Sequence, residues 1–119
     1  MAKSMLIISR QAPWAGPAAR EALDIALAGG AYDLPIAMLF LDDGVYQLLD
    51  DQAPDAVQHK NLAANLQALP LFGVEEVFVC SASLARRGLA DSGLALPAQA
   101  LAEAQLRELL ARFDLVVTL

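Results

Sequence analysis

Cys80, the only cysteine, is the residue best placed for chemistry in this sequence. It follows the apolar run Val77-Phe78-Val79 and comes directly before Ser81-Ala82-Ser83-Leu84, which we expect to form a short helix. The carboxyl end of a parallel strand is where α/β sheets present reactive groups, and free helix N–H groups there would stabilise a thiolate that carries a persulfide. The alternative is a buried, space-filling cysteine, which is common at such positions. The segment by itself favours this structural role.

Other polar side chains in the sequence favour structural roles over catalysis. His59, the only histidine, lies in a polar stretch beside Lys60, and a solvent-exposed position is favoured over a catalytic pair with Cys80. Asp42 and Asp43 end a predicted strand, where helix capping and a turn are favoured over metal binding because no further ligand accompanies them. A single cysteine excludes a C-x-x-C redox motif and a thiolate zinc site. We therefore expect no cofactor and no metal.

The segment from Arg10 to Pro17, after the first predicted strand, does not have the glycine pattern of a phosphate-binding loop. It matches neither G-x-G-x-x-G nor the P-loop motif, so a dinucleotide site is not indicated. Trp14 in this segment is either a core residue or an anchor in a subunit interface, and the sequence leaves both roles open.

The composition predicts one domain with a large apolar interface. The chain has 119 residues, 57% of them hydrophobic, and a mean hydropathy of +0.46, whereas typical soluble domains are about 45 to 50% apolar. The apolar run from Leu34 to Leu41 contains a proline and is too short for a membrane span, and the first residues do not resemble a signal peptide. We expect a single cytoplasmic domain over residues 1–119, with its excess apolar surface buried against other subunits.

The charge distribution argues against direct binding to nucleic acid. The net charge is −6, and the eight Lys and Arg residues are scattered, with only Arg86 and Arg87 adjacent. A surface that follows phosphates needs a concentrated group of basic side chains. An acidic chain of this kind favours protein partners.

Strand and helix patterns alternate along the chain. The predicted strands cover residues 4–9, 34–40, 76–80 and 115–119, and they are apolar runs typical of strands in covered sheets. The predicted helices begin near residue 17, at 44 with Asp43 as the cap, after 54, at 81 and at 98. Gly29 and Gly30 are predicted to end the first helix, and Phe113 to end the last. This alternation predicts an α/β fold with three layers, in which a mainly parallel sheet carries helices on both faces.

Several strings resemble a known family. Asp43-Gly44-Val45-Tyr46-Gln47-Leu48-Leu49, Pro54-Asp55-Ala56-Val57, Val79-Cys80-Ser81-Ala82-Ser83-Leu84 and Arg87-Gly88-Leu89 are similar to the DsrF-like branch of the DsrE/DsrF/DsrH family. This branch includes the C-type subunits of bacterial TusBCD sulfur-relay complexes. The resemblance extends over nearly the whole chain.

The resemblance implies a DsrE/DsrF-like subunit in a heterohexamer with TusB-like and TusD-like subunits. It implies a place in the relay that passes persulfide sulfur from TusA toward TusE, for 2-thiolation of the wobble uridine in tRNA. In the wider family, the same type of complex serves sulfur oxidation. Cys80 matches the carrier cysteine of the D-type subunit, whereas C-type subunits are regarded as structural.

Three hypotheses follow from the residues and the resemblance. The first, which we favour, is a non-catalytic interaction subunit of a sulfurtransferase complex. The second is a sulfurtransferase in which Cys80 itself carries the persulfide. The third is a small-ligand-binding domain that uses the rim near Asp43 and Cys80; it predicts a monomer, which the apolar composition disfavours.

Overall fold

A parallel β-sheet organises the computed structural model, which describes residues 3–12, 15–48, 65–89 and 98–119. Within these ranges the strands are β1 (Met5–Ser9), β2 (Ile36–Phe40), β3 (Glu76–Cys80), β4 (Gln99–Leu101) and β5 (Leu115–Thr118). The α-helices are α1 (Ala18–Ala31), α2 (Ser81–Arg86) and α3 (Glu103–Arg112), and residues 65–67 are also helical. Two 3₁₀ helices cover Asp42–Leu48 and Leu69–Phe72.

The sheet has the strand order β4-β3-β2-β1-β5, and every pair is parallel. In β1, Met5 lies opposite Ile36 of β2 on one side and Leu115 of β5 on the other. In β3, Cys80 lies opposite Leu101 of β4. All strands therefore end at one side of the molecule, the carboxyl end of the sheet, and begin at the other, the amino end. The prediction of a mainly parallel α/β sheet is confirmed.

Alternate strand residues fill two separate cores, one on each face of the sheet. Helices α1 and α2 and the two 3₁₀ helices cover the first face, where the buried strand residues are Ile7, Ile36, Met38, Phe40, Val77 and Val79. Helix α3 covers the second face through Leu109, over the buried strand residues Leu6, Ile8, Ala37, Leu39, Phe78 and Leu101. Both faces of the central strands are apolar because both are covered. The predicted three-layer arrangement is confirmed.

Helix α1 continues through the glycine pair that was predicted to end it. Gly29 and Gly30 lie inside the helix, which ends at Ala31. Gly30 is buried, and a Cβ atom there would collide with the backbone oxygen of Phe72. The prediction was wrong because this glycine serves a close helix–helix approach, which depends on tertiary packing, and not helix termination.

The first turn of the last predicted helix is instead strand β4. Gln99 pairs with Phe78 of β3, and α3 begins only at Glu103. The Gln105 side-chain oxygen accepts a hydrogen bond of 2.8 Å from the Ala102 N–H and so marks the true start of the helix. The alanines and leucines of this segment are good helix formers, but pairing with β3 overrides that local preference.

Some predictions fall on residues outside the described ranges. They concern Trp14, His59, the acidic segment after Leu48, the start of the helix after Pro54 and the loop before Ala98. In the part of the chain that the structure does describe, no helix has the length and apolar character needed to cross a membrane.

Candidate functional site at the carboxyl end of the sheet

The carboxyl ends of β1, β2 and β3 bring the predicted site residues together. Ser9 ends β1, Asp42 and Asp43 follow β2, and Cys80 ends β3. The 3₁₀ helix Asp42–Leu48 packs beside α2, so these polar groups form one connected cluster. The sequence placed Cys80 and the aspartates at this end of the sheet, and the structure confirms that location.

Cys80 is the N-cap residue of α2. Its backbone is extended, and its Sγ accepts a hydrogen bond of 3.4 Å from the Ser83 N–H. Only 6% of the residue is exposed to solvent. The sulfur thus occupies the place of the oxygen in an ordinary N-cap and satisfies one N–H at the start of the helix. A buried thiol in this role has little access to a partner, which is typical of structural cysteines.

Ser83 connects the sulfur to the end of β2. Its hydroxyl oxygen accepts a hydrogen bond of 3.0 Å from the Asp42 N–H, and its carbonyl oxygen accepts one of 3.1 Å from Nη1 of Arg87. The residue is almost fully buried. These bonds hold the N–H that contacts Cys80 in one orientation, so the cap is fixed by neighbouring elements as well as by its own helix.

Asp42 and Asp43 each bind an arginine. Asp42 Oδ2 lies 2.7 Å from Nη2 of Arg10, and Asp43 Oδ1 lies 2.9 Å from Nη2 of Arg87. Asp43 was predicted to cap a helical turn at Gly44–Leu49, but the 3₁₀ helix begins two residues earlier, at Asp42, and the Asp43 carboxylate binds Arg87. This prediction was wrong because the arginine comes from a segment 44 residues away along the chain. Among the described residues, no group of acidic, histidine or cysteine side chains is arranged to hold a metal ion.

Arg87 contacts residues of two other sequence strings that suggested the family, those that begin at Asp43 and at Val79. Its side chain is only 19% exposed, its guanidinium binds Asp43, and it lies 6.0 Å from the ring centroid of Tyr46. Arg87 also donates to the Ser83 carbonyl oxygen in α2, and so it stabilises the end of this helix. The contacts with Asp43 and Tyr46, in the 3₁₀ helix that follows β2, were not predictable from the position of Arg87 in its helix.

Gln47 is a site residue that the sequence reasoning missed. It is buried, and its Nε2 donates to Ser9 Oγ at 2.7 Å and to the Gln11 carbonyl oxygen at 2.9 Å. Its Oε1 has no hydrogen-bond partner among the described residues. Gly44 allows the 3₁₀ helix that carries Gln47 to lie close to the end of β1, since a Cβ at residue 44 would collide with the Ser9 carbonyl oxygen. A polar residue between Val45 and the apolar Leu48 was the signal that could have indicated this contact.

The arrangement can support one kind of chemistry. A sulfur atom at Cys80 has one backbone N–H donor, which would stabilise negative charge on a thiolate or on a bound persulfide. The surrounding side chains hold that donor in place but leave little open path to the sulfur. In the described part of the site, the burial and contacts of Cys80 therefore suit a structural role better than the exchange of sulfur with another protein.

Comparison with known proteins identifies the family of this chain. The model of the DsrE/DsrF-like family matches residues 3–119. A protein of Pseudomonas aeruginosa named Protein TusC homolog is 60% identical over 119 residues, which cover 100% of both chains. A protein of Vibrio parahaemolyticus with the same name is 46% identical over 99 residues, 83% of this chain and 84% of that protein.

A solved structure agrees with this fold. The crystal structure of the YchN protein from E. coli superposes with a TM-score of 0.84 and covers 100% of both chains. At 22% sequence identity, this similarity shows the fold alone. The family model and the two sequence relatives show that the chain belongs to the DsrE/DsrF-like family.

Proposed function

We propose that this chain is a non-catalytic subunit of a TusBCD-type sulfur-relay complex that serves tRNA modification. The observation that carries the proposal is the 60% identity, over the full length, to a protein named as a TusC homolog. In this role the chain assembles with TusB-like and TusD-like subunits as a heterohexamer. The complex receives persulfide sulfur from TusA and passes it toward TusE, for 2-thiolation of the wobble uridine in cytoplasmic tRNA.

The surroundings of Cys80 support the non-catalytic part of the proposal. Sulfur transfer requires that a thiolate of this subunit reach the outer sulfur of a donor persulfide, but Cys80 is only 6% exposed. Its sulfur already serves as the cap of α2 through the Ser83 N–H. A cysteine with this burial and this contact has a structural task that does not depend on reactivity.

The charge of the chain supports a role among proteins. A net charge of −6 does not suit direct contact with tRNA. In the proposed relay, the tRNA binds only to the last enzyme, and this chain contacts only other proteins.

Replacement of Cys80 by serine tests this function. In a strain whose own gene for this chain is deleted, the Cys80→Ser variant should restore thiolated tRNA to the wild-type level, because serine keeps the cap on α2. The deletion strain without the variant should lack most of the 2-thiouridine in its tRNA, measured by mass spectrometry of digested tRNA. A matched control replaces the carrier cysteine of the TusD-like subunit by serine and should abolish thiolation. An unchanged 2-thiouridine level in the deletion strain would contradict the proposal and leave sulfur oxidation as the function to examine.

A second candidate function makes Cys80 itself the persulfide carrier. The observation in its favour is the Ser83 N–H at 3.4 Å from Sγ, which would stabilise the charged sulfur. In this reaction the Cys80 thiolate attacks the outer sulfur of the donor persulfide, the S–S bond of the donor breaks, and the donor leaves as a thiolate. Loss of thiolation in the Cys80→Ser strain, with the complex still assembled, would favour this candidate over the first.

A further inference from the structure

Large apolar side chains are exposed at the amino end of the sheet, away from Cys80. They lie on α1, on the connection from α1 to β2 and on the 3₁₀ helix before β3. Tyr32 is 81% exposed and Leu71 is 87% exposed. We call this set the amino-end patch, and its members are Ile25, Tyr32, Leu34, Leu71 and Phe72.

The members of the patch are brought together by close packing of their backbones. Gly30 lies against the Phe72 carbonyl group, which places the end of α1 beside Leu71 and Phe72. The side chain of Leu34 lies over Gly29, where a built Cβ would be 3.8 Å from its Cδ1. Ile25 and Tyr32 are seven residues apart on or just after α1, so they share one side of the helix. The members of the patch therefore lie on neighbouring segments at the end of α1.

The area of the patch is large for a surface that remains in water. With about 150 to 250 Å² for a whole large side chain, the exposed fractions give on the order of 500 Å². This is near the upper limit for the largest patch on a typical monomer. It is also more than half of the roughly 800 Å² that each partner buries in a stable protein interface.

Acidic side chains border the patch. Asp33 lies between Tyr32 and Leu34, and Glu75 lines a surface cavity of about 320 Å³ together with Pro35 and Gly73. The cavity is also lined by Arg112 and Glu76, whose charges offset each other in an ion pair. Neither acid forms an ion pair with another residue that the structure describes. A symmetric contact between two copies would place four such acids at the border of one interface, and an excess of like charge there opposes association.

We propose that the amino-end patch is the docking surface for a different protein subunit, one whose apolar surface is bordered by lysine or arginine. The proposal rests on the proposed function and extends it, since it assigns the face used for assembly. Because the patch is at the amino end of the sheet, docking there leaves the carboxyl end with Cys80 uncovered. The apolar centre contributes most of the affinity, and the acids select the partner.

Coexpression with the TusB-like and TusD-like subunits of the same organism tests the proposal. Leu71→Ser should weaken assembly by about tenfold or more, measured by native mass spectrometry and by sedimentation across a dilution series. The matched control is Val116→Ser, which removes an exposed apolar side chain from β5 and should leave assembly unchanged. Both residues are exposed, so circular dichroism should show folded proteins in each case.

A second pair of substitutions tests the acidic border. Asp33→Asn with Glu75→Gln keeps the shape of both side chains and removes two charges. We expect affinity about three- to tenfold lower than that of the wild type, and a weaker dependence on salt concentration. Asparagine also suits the positive φ of 60° at residue 33, so the turn is preserved.

The outcomes separate this proposal from the proposed function. If the wild-type chain does not assemble with the two subunits, the proposed function fails. If it assembles and Leu71→Ser assembles equally tightly, the docking proposal is overturned while the function stands. If the chain alone forms a dimer that Leu71→Ser disrupts, the occupant is a second copy, and the proposed heterologous partner is wrong.

Discussion

At the scale of single residues, the site is a network that supports the start of α2. Cys80 accepts from Ser83, and Ser83 is held by Asp42 and by Arg87. Arg87 in turn binds Asp43. The types of these residues suggested capping and sulfur chemistry separately, whereas their contacts show one shared task in which each polar group fixes another.

The Asp43–Arg87 pair provides a prediction at this scale. Arg87→Ala should destabilise the protein more than Asp43→Ala, because Arg87 also donates to Ser83 and lies over Tyr46. A double-mutant cycle from urea unfolding should give a coupling of about 0.5 to 1 kcal/mol, since Asp43 is largely exposed.

The control is the Arg20–Asp24 pair on the exposed side of α1. Its coupling should be at most about 0.5 kcal/mol. Equal couplings in the two cycles would mean that the partial burial of Arg87 adds nothing to its ion pair.

At the scale of elements, close backbone contacts decide where helices and strands end. The 3₁₀ helix Asp42–Leu48 lies against the end of β1 because residue 44 has no side chain. Gly30 has the same effect between α1 and the 3₁₀ helix Leu69–Phe72. A sequence pattern shows that a residue is glycine but not which residue lies beside it in space. For this reason Gly29 and Gly30 were interpreted as the end of α1.

Gly44→Ala tests the importance of this contact. The new Cβ would collide with the Ser9 carbonyl group, so we expect a loss of about 1 to 3 kcal/mol in the free energy of unfolding. Thermal and urea unfolding would measure it. Gly88→Asn is a suitable control, because residue 88 has space for a side chain and its φ of 67° is one that asparagine tolerates. A loss below that of the control would contradict the close approach.

At the scale of the whole molecule, the sheet is covered unevenly. β2 is buried at every position, whereas β5 lies at one side of the sheet with Leu115 and Val116 exposed. Local opening is easiest where few apolar contacts hold the backbone.

Hydrogen exchange should reveal this difference. In the purified chain, the amides of Ile36–Phe40 should exchange slowest, at the rate of global unfolding, and those of Leu115–Thr118 should exchange earlier than those of the other long strands. Mass spectrometry after pepsin digestion would measure both. Equal protection of the two strands would show that the sheet opens only as one unit.

The sequence by itself determined the class of fold and the general location of the site. Continuous apolar runs predict buried parallel strands, because both faces of such strands are covered, and β3 was predicted with its observed bounds. The position of Cys80 between β3 and α2 followed from the same local pattern. These features depend on residues close together in the chain.

Only the tertiary structure decided the contacts between distant segments. It placed β4 where alanine and leucine predicted helix, and it joined Asp43 to Arg87 and Gln47 to Ser9. It also collected the amino-end patch from α1 and from residues 71–72. The physical reason is that pairing, burial and ion-pair formation depend on which segments meet in space, and local preference is too weak to determine that by itself.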